Sequence, residues 1–350
     1  MCSHLFEPRT AAEWGISMKK SFLVKSFILL LIITMLSFTI MSFTVQAADN
    51  ASLQTDRINI GGETVDEIIT ENSDTETGPI LQYDATTGET TEINMDEVRQ
   101  NILQKNSRTG ERLDRIEPFD PLGSQQNKAS ITPYSTTFNK VSNTSDFPYR
   151  VTCRISMEIY GKYGSASGFL VGPNILLTAA HCVMNKNDND NTFAQWTAYP
   201  AYNNGAYKGI KTGWAKIIYP SGWKQNHSTE NDWCICILND NIGSQVGWYG
   251  CQAYGTNGEM DGLSVRAIGY PSNPGGSLYQ YYTYGNLSWI KNGSFDTSSK
   301  IVEGMSGGPI ARTSDNYAVG LVKGYFTFRP DTGIGVRITQ QIIDLIRENS

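Results

Sequence analysis

From about Ser130 to the C-terminus the sequence breaks into short β-rich runs, and no other feature narrows the fold as much. YRVTCRISMEIY, GFLVG, ILLTAA, GWAKIIY, WCICIL, VRAIGY and YAVGLVKGYF are separated by clusters of Gly, Asn, Pro and Ser. Many short strands with turn signals between them predict an all-β sandwich or barrel. Long alternation of strands and helices is missing, which argues against a doubly wound sheet. One helix is predicted at the end, over Thr339–Glu348, where Ile342, Ile343, Leu345 and Ile346 fall near helical spacing. The stretch is long enough for two small all-β units followed by that helix. With 39% hydrophobic and only 18% charged residues, the chain can bury a sizeable core, so wholesale disorder is excluded.

Upstream of this region the composition changes twice. Residues 22–45 are an apolar run broken by Lys25, preceded by Met18-Lys19-Lys20 and followed by Gln46-Ala47-Ala48. A basic start, an apolar run and a small-residue end make a secretory signal, with cleavage near Ala47 or Ala48. An uncleaved membrane anchor is the competing reading of the same run. Met18 is the natural start of such a signal, and residues 1–17 read as an upstream extension from an early start codon. Residues 49–120 then hold 17 Asp+Glu against 6 Lys+Arg, and no Trp or Cys. Residues 121–350 hold 15 Asp+Glu against 18 Lys+Arg. The acidic stretch reads as a flexible linker or as a pro-segment that masks or chaperones the mildly basic domain; its position favours the pro-segment. One helix is predicted within it, around Met95–Lys105, with the rest extended or weakly folded. The organisation is therefore a signal with its extension over 1–48, a pro-segment over 49–130, and a globular domain over 131–350 that divides near 245–262. The location implied is secreted, or held at the cell surface, with no stable membrane association once the signal is removed. A net charge of −6 gives no footprint for nucleic acid.

Three segments carry candidate chemistry. Thr178-Ala179-Ala180-His181-Cys182 places a histidine just past an apolar strand; alone it would be a structural histidine at a strand end. Asn231-Asp232-Trp233 heads the apolar run CICIL; alone, Asp232 would be a turn residue, but a buried carboxylate needs a partner that an imidazole N–H supplies. Gly304-Met305-Ser306-Gly307-Gly308-Pro309 flanks a serine with glycines, a tight turn whose backbone N–H groups can face an oxyanion. Chain order sorts the alternatives. No histidine follows Ser306, so the α/β-hydrolase order, with the histidine last, lacks its base. The order His181, Asp232, Ser306 on an all-β background is that of the chymotrypsin-type triad. The chain has only three histidines, and His227 in the polar stretch KQNHSTEND is the rival base, read as a solvated loop residue.

TAAHC, NDWCICIL and GMSGGP resemble the three signature segments of chymotrypsin-fold serine peptidases. Phe147-Pro148-Tyr149-Arg150, Val246-Gly247-Trp248-Tyr249-Gly250 and Gly269-Tyr270-Pro271 are more specifically similar to segments of the secreted bacterial glutamyl endopeptidase group. The resemblance covers roughly residues 135–348 and implies an all-β fold of two six-stranded antiparallel β-barrels with the site in the cleft between them. It implies that Ser306 is the nucleophile, His181 the general base and Asp232 its orienting carboxylate. The backbone N–H groups of Gly304 and Ser306 would form the oxyanion hole. The strand Gly320–Tyr325 would pair with an extended protein or peptide substrate, and an activating protease would cut near Lys128–Tyr134. No metal and no organic cofactor is called for. A catalytically silent or narrowly selective peptide-binding homologue is the alternative that keeps the same barrels.

The chain departs from the group in several places. Glutamyl endopeptidases are expected to read an acidic P1 side chain with a Thr five residues before the serine and a His on the strand after it. The matching positions are Ile301 and Val322, which cannot satisfy a buried carboxylate. Ile301, Val322, Lys323 and Gly324 are the candidate substrate-binding residues; Lys300 and Lys323 either supply charge there or are solvated. Met305 stands where digestive relatives carry an Asp that pairs with the new N-terminus, so activation must use other contacts. Five cysteines lie beyond the leader, an odd number, with Cys182 and Cys153 a conceivable pair and Cys234 and Cys236 read as buried thiols on one strand face. The Asn185–Asn191 loop resembles a calcium loop only superficially, lacking the Gly and distal Glu of an EF-hand, and is read as solvated.

Overall fold

The computed structural model describes residues 78–123, 137–159, 162–184 and 195–350. The leader, the start of the acidic segment, the Lys128–Tyr134 region and the Asn185–Asn191 loop lie outside the described residues.

Residues 78–120 of the acidic segment are more ordered than its composition suggests. Strands β1 (Ile80–Asp84) and β2 (Thr90–Ile93) form a hairpin, and a helix runs over Met95–Thr109, four residues past the predicted end. The Asn94 side chain caps this helix by accepting from the N–H groups of Asp96 and Glu97 at 3.1 and 3.3 Å. Gly110 ends it in the left-handed conformation. Strand β3 (Arg115–Ile116) follows. These elements need no core of their own because they borrow one. Ile80–Asp84 pairs along Lys216–Pro220 of the first barrel, and the helix lies on the C-terminal helix through Arg99–Asp344, Lys105–Glu348 and an Asn101–Glu348 hydrogen bond of 3.0 Å. Asp120 pairs with Arg150, whose guanidinium is buried. A composition window cannot register partners more than a hundred residues away.

Strand β4 (Asn139–Lys140) leads into six strands that make the first barrel. They are β5 (Thr152–Ile159), β6 (Lys162–Leu170), β7 (Ile175–Thr178), β8 (Gln195–Pro200), β9 (Trp214–Pro220) and β10 (Cys234–Leu238). Their order is β9-β10-β7-β6-β5-β8, and reciprocal hydrogen bonds between Ala198 and Thr212, of 2.8 and 3.1 Å, close the ring beside β9. The central strands β7 and β10 are almost continuously buried, which is why ILLT and CICIL read as unbroken apolar runs.

A connection carrying β11 (Cys251–Gln252), which pairs with β3, leads to the second barrel. Its strands are β12 (Ser264–Gly269), β13 (Tyr281–Ser288), β14 (Ser294–Thr297), β15 (Pro309–Arg312), β16 (Ala318–Phe326) and β17 (Arg329–Arg337). They run β15-β12-β13-β14-β17-β16, and pairing of β15 with β16 closes the six-stranded barrel. The C-terminal helix spans Gln340–Glu348 and buries Ile342, Ile343, Leu345 and Ile346, as its spacing predicts. The fold is thus the all-β, two-barrel architecture with a terminal helix. Among the described residues no helix is long and apolar enough to cross a membrane.

Candidate active site

The register of two neighbouring strands brings His181 and Asp232 together. In the antiparallel β7–β10 pair, Cys234 lies opposite Thr178. Residues just past the end of β7 and just before the start of β10 therefore leave the sheet at the same edge. Ala179 and Ala180 are fully buried and lead into one helical turn, Ala180–Val183, that carries His181. Asp232 is fully buried and holds His181 twice: its Oδ1 accepts from the His181 backbone N–H at 2.9 Å, and its Oδ2 lies 2.7 Å from Nδ1. A bidentate hold of this kind fixes both the ring orientation and the Nδ1–H tautomer, leaving Nε2 free to accept a proton.

The same carboxylate oxygen also takes the Lys323 ammonium at 3.1 Å. Burial works to raise the Asp232 pKa, but the charges and hydrogen bonds of His181 and Lys323 outweigh it and hold the group below the ordinary carboxylate value. For His181, burial pulls the pKa down, while the neighbouring Cys182 and the Asp232 carboxylate push it up and prevail, leaving it above the ordinary imidazole value.

Ser306 arrives from the second barrel on the turn before β15. Gly304 has φ +90°, and a Cβ there would meet the Tyr270 carbonyl at 2.4 Å. Gly307 has φ +80°, and its Cβ would meet Thr178 Oγ1 at 2.1 Å. Only glycine lets this turn thread so closely between the barrels. No described hydrogen bond uses the N–H of Gly304 or Ser306, whereas Gly307 N–H is spent on the Val322 carbonyl at 2.7 Å. The Ser306 hydroxyl donates to the Lys323 carbonyl at 3.2 Å rather than to His181. Lys323 thus touches both halves of the cluster, Ser306 through its backbone and Asp232 through its side chain.

Other predicted residues are placed differently from the expectation. Ile301 and Val322 are buried in the core of the second barrel with Met305, so neither side chain presents itself at an open wall. Lys323 is neither solvated nor free to meet a substrate carboxylate, because Asp232 holds its ammonium. Gly324 borders open space: no atom lies within 4 Å of where its Cβ would stand. His227 packs edge-on against Trp223, with ring centres 5.0 Å apart, while His181 approaches the same indole at 6.4 Å. Both histidines thus approach the same indole. Cys153 and Cys182 are both free and buried, so the conceivable disulfide between them is not formed; Cys234 and Cys236 are also free, their sulfurs 3.8 Å apart.

Sequence reasoning missed Ser167. This buried β6 hydroxyl donates to the Gly304 carbonyl at 2.8 Å and accepts from the Tyr270 N–H at 2.9 Å. Its backbone N–H donates to the Ser306 carbonyl at 2.9 Å. It stitches the first barrel to the serine turn. A serine in the small-residue stretch SASGF carries no signal of that role in one sequence.

Residues 166–321 match a family model described as a trypsin-like peptidase domain. The chain is 30% identical over 176 residues to a Bacillus subtilis protein named extracellular metalloprotease, covering 49% of each chain. It is 28% identical over 179 residues to a glutamyl endopeptidase of Bacillus licheniformis, covering 51% of this chain and 53% of the relative. The chain spans about half the length of these curated relatives. Among solved structures, a Glu endopeptidase in complex with MPD superposes with a TM-score of 0.54 at 21% identity, covering 63% of this chain and 99% of that one. The protease Anisep from Arthrobacter nicotinovorans superposes at 0.51 and 20% identity, covering 60% and 99%. Residues 166–321 are therefore similar to trypsin-like peptidase domains, and the fold is the chymotrypsin fold. Within that class it resembles the glutamyl endopeptidases. Among the described residues no group of three or more His, Cys, Asp and Glu is placed to hold an ion, and the Asp232 oxygen beside His181 already faces an ammonium.

Proposed function

We propose that this chain is a secreted serine endopeptidase working through Ser306, His181 and Asp232. The observation that carries the reading is the double hold of Asp232 on His181, supported by Lys323, whose side chain meets Asp232 and whose carbonyl accepts from Ser306. To react, the Ser306 hydroxyl exchanges the Lys323 carbonyl for His181 Nε2 and attacks the scissile carbonyl carbon. His181 takes the hydroxyl proton, and Asp232 stabilises the imidazolium. The carbonyl oxygen becomes an oxyanion that the N–H groups of Gly304 and Ser306 receive. Collapse breaks the C–N bond, the imidazolium proton goes to the leaving amine, and an acyl-enzyme remains. Water, deprotonated by His181, then releases the acid and restores the Ser306 hydroxyl. The backbone beyond Lys323, with open space at Gly324, receives the extended substrate.

Residues 1–48 act as signal and extension, 49–130 as pro-segment and 131–350 as the peptidase domain, released by a protease that cuts near Lys128–Tyr134. The described contacts of residues 78–123 run to β9, the C-terminal helix and Arg150, so this part of the pro-segment supports the fold. Buried Ile301 and Val322 offer a P1 carboxylate no partner, so strict Glu preference is not expected.

The engagement of Ser306 with the Lys323 carbonyl favours a second reading, a silent peptide-binding homologue. Peptide-library hydrolysis by the wild type and by Ser306→Ala separates the two. Cleavage lost in the variant supports the peptidase; tight peptide binding without cleavage by either protein supports the homologue.

A further inference from the structure

Lys323 stands one residue past Val322 on β16, at a break in the strand pairing. Val322 lies opposite Gly335 of β17 and Gly324 lies opposite Ile334, so Lys323 is an extra residue without a partner in the register. Such a bulge redirects one side chain away from the alternation of its strand. Here Val322 keeps its place in the second-barrel core, and Lys323 turns across the cleft to Asp232 of the first barrel. Two contacts fix the ammonium: the Asp232 Oδ2 at 3.1 Å and the face of Trp223, whose ring centre is 5.5 Å away. Its side chain is only about a fifth exposed, so the pair is poorly screened by solvent.

We propose that Lys323 is a positioning residue that tunes His181 through Asp232. The carboxylate that raises the basicity of the imidazole shares its charge with a second cation on the same oxygen. The imidazolium is therefore less stabilised than it would be by Asp232 alone, and His181 becomes a neutral, competent base at lower pH. The other titratable groups around the pair are Cys182 beside the ring, Cys234 facing the carboxylate with Cys236 next to it on β10, and His227 and Lys224 on the turn that carries Trp223. Among the described residues, the ion pairs of Asp232 are with His181 and Lys323. The ammonium also spans the barrels, holding the carboxylate from the same residue whose carbonyl accepts from Ser306.

The kinetic half of the test rests on the peptidase reading, whereas the spectroscopic half does not. With three histidines in the chain, the His181 titration is resolvable by NMR in the Ser306→Ala background. Lys323→Met raises the His181 pKa by about one pH unit, and Lys323→Arg leaves it near its starting value. The acid limb of kcat/KM moves to higher pH by the same amount in the catalytically intact chain. Lys323→Gln, which keeps polar donors without charge, carries the same test if the Met variant does not fold. An unchanged His181 titration in every variant overturns the proposal. So does an unchanged titration accompanied by altered selectivity toward acidic peptides, which would make Lys323 a substrate reader. A shifted titration in a chain that cleaves nothing at any pH leaves the tuning role standing and refutes the peptidase reading instead.

Discussion

The two sides of the junction between the barrels are built from opposite materials. The first-barrel wall is a chain of charge: a buried carboxylate, an imidazole held at two points, and an ammonium reaching in from across the cleft, all within 3.1 Å contacts. The second-barrel side is a glycine turn, with no described hydrogen bond from the N–H of Gly304 or Ser306, backed by Ile301, Met305 and Val322 buried in an apolar core. The difference separates two tasks. Breaking a peptide bond needs fixed charges and dipoles, which this chain has. Reading an acidic side chain needs a charged or hydrogen-bonding pocket, and the positions that would supply it are aliphatic.

Substitutions that break the polar wall have the largest effects. Ser306→Ala, His181→Ala and Asp232→Asn each lower kcat/KM by about 10⁴-fold or more, measured on a peptide cleaved by the wild type, with circular dichroism unchanged. Next is Gly304→Ala. Its Cβ would meet the Tyr270 carbonyl and turn an oxyanion donor aside, costing about 10²–10³-fold in kcat with little change in KM. On the apolar wall the effect moves from rate to stability. Val322→His buries an imidazole with no partner in the core and lowers stability by about 2 kcal/mol in denaturant titration, without creating a preference for Glu at P1. The smallest effect belongs to His227→Ala, which keeps activity within about twofold, because this ring faces Trp223 and lies off the Asp232 contacts.

The pH dependence follows from the same wall. In the proposed mechanism His181 acts as a base only when neutral, and its pKa lies above the ordinary imidazole value. The activity therefore climbs with rising pH through a midpoint above 6.5 and is lost below it, in contrast to a solvated histidine.

Legibility in the sequence divides along the same line. His181, Asp232 and Ser306 could be singled out because chain order and residue type together leave few alternatives, and the all-β background followed from short runs bounded by turn residues. The terminal helix was legible from Ile342, Ile343, Leu345 and Ile346, which fall near helical spacing and are all buried. What could not be read depends on partners distant in the chain. The β1–β2 hairpin pairs along the edge that β9 offers, far away in the chain. Ser167 is placed by the pairing of two barrels. The direction of Lys323 is set by a one-residue bulge that leaves no mark in composition or periodicity.

The most direct test is covalent. A fluorophosphonate probe is added to the full chain, before and after limited proteolysis between residues 123 and 137, and the adduct is located by mass spectrometry. A single adduct on Ser306, lost in both Ser306→Ala and His181→Ala, is the predicted result. An adduct that persists in His181→Ala, or none at all in folded wild-type protein after cleavage, contradicts the assignment of an imidazole-activated serine.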